Sequence, residues 1–171
     1  MPATAQPGET VLTTVRLRLR PFRQSDVVAL AEIMGDARVM RHIGKGALSF
    51  DEVAAVVERA MQGWRERGMG WWALERRSDG RVVGQMCLKP VTELPEIEVG
   101  YALRADAWGL GYAEEALREV IRYGENERAL QRIVGLVRPG NEHSIALLVR
   151  CGFAFEKAMP LRNKTLHVYV R

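Results

Sequence analysis

Apolar residues recur along this chain with two different periods. Between residues 11 and 21, Val15, Leu17 and Leu19 alternate with Arg16, Arg18 and Arg20, the period of a strand with one wet face. From Val27 the spacing becomes helical. Val27, Leu30, Ile33 and Met34 fall on one side, and Ser25 and Asp26 are placed to cap the helix. Ser49 and Glu52 have capping-box spacing. The helix they open carries Val53, Val56, Val57, Ala60 and Trp64 on one face, and Gly68 and Gly70 end it. Residues 71–76 and 82–89 are strands joined by the turn residues Ser78, Asp79 and Gly80. A further strand over 96–103 precedes a helix over 113–124 with Ala116, Leu117, Val120 and Ile121 inward. A strand over 132–138 follows. Asn141 then caps a short helix with Ile145, Leu148 and Val149 inward, and strands over 152–157 and 165–170 close the chain.

The order is strand, two helices, three strands, helix, strand, helix, two strands. Hairpins combined with strand–helix–strand units imply an α/β fold with a mixed sheet and helices on both faces. The 171 residues suit one domain that can bury a core without disulfides or metal. Residues 1–10 are small and polar with two prolines and read as a flexible tail before a single domain over 11–171. They lack the basic start and apolar run of a signal peptide, and no stretch approaches ~20 apolar residues, so a cytoplasmic location is expected. Cys87 and Cys151, with three scattered histidines, form no metal-ligand spacing. A formal charge of +4 and a pI near 9.4 favour an anionic partner such as a phosphorylated cofactor. Acids interrupt the basic residues throughout, which argues against nucleic acid.

The segment richest in chemistry is Trp108-Gly109-Leu110-Gly111-Tyr112-Ala113, between a strand and a helix. Two glycines permit a tight turn and close approach of a ligand to the backbone. The following helix directs its unpaired N–H groups and positive dipole end at that turn, which suits a pyrophosphate. A plain strand-to-helix turn would use the same residues. A Walker loop is excluded by the missing Lys-Ser/Thr, and a dinucleotide fingerprint by the missing third glycine. Further on, Asn141 and Ser144 either cap the helix they open or bond an amide-bearing ligand beside the sheet. Gly152 is placed as a helix C-cap before Phe153.

Together these segments resemble the GNAT superfamily of N-acetyltransferases, and within it the ribosomal-protein N-terminal (Rim-type) branch. The resemblance covers nearly the whole chain. It rests on Leu17 to Pro21, Asp36 to Arg41, Glu98-Val99-Gly100-Tyr101, Trp108 to Ala113 with Glu115-Ala116, and Asn141 to Phe153. It implies a GNAT-like seven-stranded mixed sheet in which the strand ending at Leu103 splays from a parallel neighbour near Val137. Acetyl-CoA would be the cosubstrate, with no metal. Its pantetheine arm would pair with the backbone of Tyr101, Ala102 and Leu103 like an added strand. Trp108, Gly109, Leu110, Gly111, Tyr112 and Ala113 would hold the pyrophosphate, and Asn141 would bond the pantetheine. Two positions depart from the superfamily. Trp108 stands where Gln or Arg is usual, as it does in the Rim-type branch, and Leu148 stands where many members have a tyrosine acid.

Acetyl transfer to an amine needs a neutral nucleophile, so the site must remove a proton from the amine and return one to the thiolate. Glu98 is the candidate base, where the family places an acid. Glu96 could share the role through a water, and the Val99 or Gly100 amide could polarise the thioester carbonyl. Ser144 is the nearest substitute acid. Cys151, at a helix end among apolar residues, is a structural cysteine. Trp72 is expected in the core, with Trp64 and Trp71 open between core and acceptor pocket. The acceptor would be recognised by residues 34–48 and 92–96. It would be a peptide N-terminus or a small amine, with a basic protein disfavouring polyamines. A non-catalytic acyl-CoA-binding domain is the alternative, and homodimers are common in the superfamily.

Overall fold

The computed structural model describes residues 10–171. Its strands are β1 (Leu12–Thr13), β2 (Leu17–Pro21), β3 (Trp71–Arg76), β4 (Val82–Pro90), β5 (Ile97–Leu103), β6 (Val134–Val137), β7 (Ala154–Leu161) and β8 (Lys164–Val170). Its helices are α1 (Val27–Met34), α2 (Phe50–Arg67), α3 (Tyr112–Asn126) and α4 (Glu142–Arg150). The strands form one sheet in the order β1-β2-β3-β4-β5-β6-β8-β7, antiparallel except where β5 meets β6. No helix among the described residues is long and apolar enough to cross a membrane. The tail expected over residues 1–9 lies outside the described residues. Thr10 is held, since its carbonyl accepts Trp72 Nε1 at 3.0 Å.

The sheet has eight strands rather than seven because the expected first strand breaks. Thr14 turns the chain, its N–H bonding the Leu17 carbonyl at 2.9 Å and its hydroxyl accepting the Leu17 N–H at 3.0 Å. β1 folds back on β2, pairing Leu12 with Leu19. Val15, expected inward, is 85% exposed at this turn. Arg20, expected in water, is buried. It forks onto Asp26 at 2.8 and 2.9 Å and reaches Glu75 at 2.7 Å. Asp26 therefore does not cap α1; it binds Arg20 and the Arg23 N–H. Removing one partner from a buried pair of this kind costs about 3–5 kcal/mol.

The alternation of β-strand side chains sends two sets of apolar residues to opposite faces. One face carries Trp72, Leu74, Met86, Val99 and Leu103 under α3 and α4, with Ala116, Leu117, Val120, Ile121, Leu147 and Leu148 packed on it. The other carries Ala73, Val82 and Ala102 under α1 and α2. Each fully buried leucine stabilises the fold by roughly 1.5–3 kcal/mol. The capping box of α2 forms as its spacing requires, and Gly68 ends the helix at φ 62°. Val149, expected inward on α4, is exposed, and Leu147 takes the inward position.

The feature that positions the site is the parallel pair. β5 and β6 are in register only at Glu98–Val134 and Val99–Gly135. β6 then stops at Val137, shortly before Pro139, which has no N–H for a ladder. β4 continues to pair with β5 as far as Leu103. Among the described residues, the β6 side of Gly100–Leu103 is left as a free strand edge.

Candidate active site

At the upper end of that edge the chain makes a 3-10 turn over Ala105–Ala107 and enters the loop Trp108–Gly111 before α3. Gly109 (φ 72°) and Gly111 (φ 81°) both adopt left-handed backbone, where a side chain is strained. Among the described residues no side chain caps α3, so its first N–H groups remain open to an anion. Two acids lie in that first turn, and both are neutralised. Arg118 and Arg150 bind Glu114 and hold its pKa below the usual carboxylate value. Burial opposes ionisation of Glu115, but bonds from Thr14 and Arg16 outweigh it and lower its pKa too. Trp108 is half-exposed and donates its indole N–H to the Leu103 carbonyl at 3.0 Å, joining the loop to the end of β5.

The sequence pattern assigned no role to Arg16, which proves to organise this loop. From the β1–β2 turn it donates Nη1 to the Leu110 carbonyl at 2.8 Å and Nε to Glu115 at 2.7 Å. Its own N–H binds Glu115 at 2.8 Å, and its guanidinium stacks 4.5 Å from the Tyr112 ring centroid. The only hint in the sequence was an arginine in the segment before the first buried pair, Leu17 and Leu19.

Below the loop, three expected residues meet across the mouth of the gap. Tyr101 leaves β5 toward α4, and its hydroxyl lies 2.8 Å from Ser144 Oγ and 3.2 Å from the Ser144 carbonyl. Burial pushes the Tyr101 pKa up to about 12, against a smaller opposing effect of the Ser144 bond, so the hydroxyl stays protonated. Asn141 caps α4, its Oδ1 accepting the Ser144 N–H at 3.4 Å, which leaves its amide N–H₂ for another acceptor. Leu148 is buried against Gly135, where a Cβ would come within 2.7 Å of it. That position faces core, and the hydroxyls nearest the gap come from Tyr101 and Ser144.

Glu98 faces the other way. It is buried on the α1/α2 side, sharing that face of β5 with Gly100 and Ala102. Lys89, its cross-strand partner on β4, binds its Oε1 at 2.6 Å, and Arg162 lies 3.8 Å from the same oxygen. Glu98 and Ser144 are thus not brought together; they flank the gap from opposite faces. Glu96 is bound to Arg132 at 3.0 Å. Trp64 and Trp72 are core, edge to face at 4.9 Å. Trp71 is half-buried on the Glu98 face, stacked on Phe22 at 6.3 Å and reaching toward Gly100. Gln85 Oε1, on the same face of β4, is buried without a partner among the described residues, a place for a water or a donor. Burial pushes the Cys87 and Cys151 thiols up, away from thiolate chemistry. Among the described residues no cluster of three or more His, Cys, Asp or Glu could hold a metal ion.

The loops expected to border the acceptor, 34–48 and 92–96, are joined here by a segment the sequence pattern did not single out. The tip of the β7–β8 hairpin turns through Arg162 and Asn163, both at positive φ (54° and 58°). Arg162 binds Glu93 at 3.0 Å, and Lys164 binds the Gly44 carbonyl at 2.8 Å.

A strand edge opened beside an uncapped glycine loop defines a class, and comparison with known proteins supplies the same one. The acetyltransferase (GNAT) domain family matches residues 16–154. The uncharacterised protein YkkB of Bacillus subtilis is 30% identical over 167 residues, 96% of each chain. An acetyltransferase structure from Agrobacterium tumefaciens superposes with a TM-score of 0.85 at 26% identity, covering 100% of this chain and 99% of that one. RimL, a ribosomal L7/L12 alpha-N-protein acetyltransferase solved in complex with coenzyme A, shares the fold at TM-score 0.77 and 18% identity, over 95% and 97% of the two chains. The chain belongs to the GNAT family and is an acetyltransferase.

Proposed function

We propose that the chain binds acetyl-CoA in the β5–β6 gap and transfers its acetyl group to a primary amine, either a peptide N-terminus or a small molecule. The observation that carries this reading is the free edge of β5 from Gly100 to Leu103, ending at an uncapped helix with two left-handed glycines. The residues present fit that cosubstrate. The backbone of Tyr101, Ala102 and Leu103 can take up an extended amide-bearing arm, with the Leu103 carbonyl already shared with Trp108. The amides of Gly109 to Ala113 can take up a pyrophosphate, and a Cβ at Gly109 would meet nothing within 4 Å, so the approach is open. Asn141 Nδ2 remains to bond the arm.

When bound, acetyl-CoA supplies a thioester whose acyl carbon a neutral amine can attack, the C–N bond forming as C–S breaks. Glu98 takes the amine proton. Lys89 and Arg162 fix one of its oxygens, and no hydrogen bond reaches Oε2 among the described residues. The Ser144 hydroxyl, wired to Tyr101, returns a proton on the opposite face of the gap.

The test is thiol release from acetyl-CoA against a panel of amines and N-terminal peptides. Amine-dependent release that falls by about 10²-fold in Glu98→Gln, with acetyl-CoA affinity retained, is the expected result. Wild-type protein that fails to bind acetyl-CoA in calorimetry would overturn the proposal. Unchanged turnover in Glu98→Gln would remove Glu98 from the role of base.

A further inference from the structure

Two cations from distant parts of the chain converge on one backbone oxygen. Arg138, immediately after β6, donates Nη2 to the Gly44 carbonyl and Nη1 to the Arg41 carbonyl at 3.4 Å. Lys164, at the start of β8, donates Nζ to the same Gly44 oxygen at 2.8 Å. Two donors on one acceptor lie within ~6 Å of each other. Among the described residues neither cation is ion-paired. The acids nearby are already committed: Glu93 to Arg162, Glu98 to Lys89, and Glu52 to Lys45. Arg41 adds an exposed third cation on the same loop.

A backbone carbonyl offsets only part of two full charges. Like charges held together without a counter-charge form a local well for an anion. The arrangement is also next to the chemistry. Arg162, 3.8 Å from Glu98, is two residues from Lys164 on the same hairpin tip. Arg138 follows Val137, which points into the α3/α4 core, so the strand alternation sends Arg138 to the Glu98 face.

Resting on the reading of acetyl transfer to an amine, we infer that the acceptor carries an anionic group, a carboxylate or phosphate. That group docks between Arg138 and Lys164 while the amine reaches Glu98. The shared chemistry is an amine and an anion in one small molecule or one N-terminal residue pair.

Two measurements test this. The first needs no turnover. With saturating coenzyme A present to occupy the α3 loop, inorganic phosphate is titrated while thermal unfolding is followed. A rise in Tm for the wild type that is lost in the double variant Arg138→Gln/Lys164→Gln is expected; equal shifts in both, or none in either, overturn the anion site. The second is kcat/KM for matched acceptors: phosphoethanolamine against ethanolamine, an amino acid against its amide, and Ser-Asp against Ser-Asn peptides. The anionic member of a turned-over pair should be preferred by about tenfold or more. The preference should collapse in the double variant with the KM for acetyl-CoA unchanged. Preference for the neutral members, or preference that survives in the double variant, overturns the inference. A phosphate-dependent Tm shift without acetylation of any amine would instead count against acetyl transfer to amines while leaving the anion site in place.

Discussion

On the α3/α4 side of the β5–β6 gap, the groups that meet come from two short stretches, residues 101–118 and 141–153, joined by Thr14 and Arg16 from the first turn of the domain. On the α1/α2 side they come from four places: Gly44, Lys89 with Glu93 and Glu98, Arg138, and the 162–164 hairpin tip. The first side offers backbone held in fixed conformations, with its charged side chains spent on holding the loop. The second presents charged side chains from scattered loops. The difference matches what the proposed function asks of each side. A cosubstrate of constant shape can be met by main-chain geometry, whereas an acceptor is selected by side chains that can vary without disturbing the sheet.

Three substitutions can break or sharpen that contrast. The largest effect is expected at Gly111. A valine there is strained at φ 81° and brings its Cβ to 3.3 Å from Arg16 Nη2. The KM for acetyl-CoA should rise by about 10²-fold while relative preference among acceptors is unchanged. A change in acceptor preference would mean that the two sides are not separable. Arg16→Gln should act in the same direction but less, raising that KM by about 3–10-fold, because the loop keeps its glycines and loses only its brace. The lysine variant should recover little, since it cannot fork between Leu110 and Glu115. The smallest effect is expected from Tyr101→Phe, read in stability against pH. The folded chain holds the Tyr101 proton up to about 12, above the ~10 of an unfolded tyrosine. Its contribution is therefore complete below pH 10 and is lost as pH rises through 12. Denaturation midpoints compared between pH 8.5 and 11 should fall more steeply for wild type than for the phenylalanine variant; parallel slopes would remove Tyr101 from this role.

The same division decided what could be read from the chain alone. Periodicity placed the helices and most strands within a few residues, because each element buries one face and the pattern records that burial. The glycine loop and Asn141 were legible because the conformation and the cap are properties of neighbouring residues. Arg16 and Arg20 were not. The alternation that marks a strand says nothing of a turn made by Thr14, and the partner of Arg16, Glu115, is 99 residues away. Burial of Arg20 depends on Asp26 and Glu75 arriving together. The hairpin tip escaped because Arg162-Asn163-Lys164 reads as an ordinary polar turn, and its reach to Gly44 spans 120 residues. The placement of Glu98 and Ser144 on opposite faces of β5 follows from strand alternation once Tyr101 is known to point at α4.

The insertion of β8 between β6 and β7 has a consequence for how the protein is made. Glycine loop, α3 and β6 are all translated before residues 164–170, which alone cover the outer edge of β6. Ile133 and Arg171 exchange both backbone bonds, at 2.8 and 2.9 Å, so even the first rung waits for the end of that strand. A released chain in which β8 has not yet docked would expose a bare, largely apolar strand. It is at that stage, rather than in the finished enzyme, that the molecule is most open to pairing with another copy of itself or to capture by a chaperone.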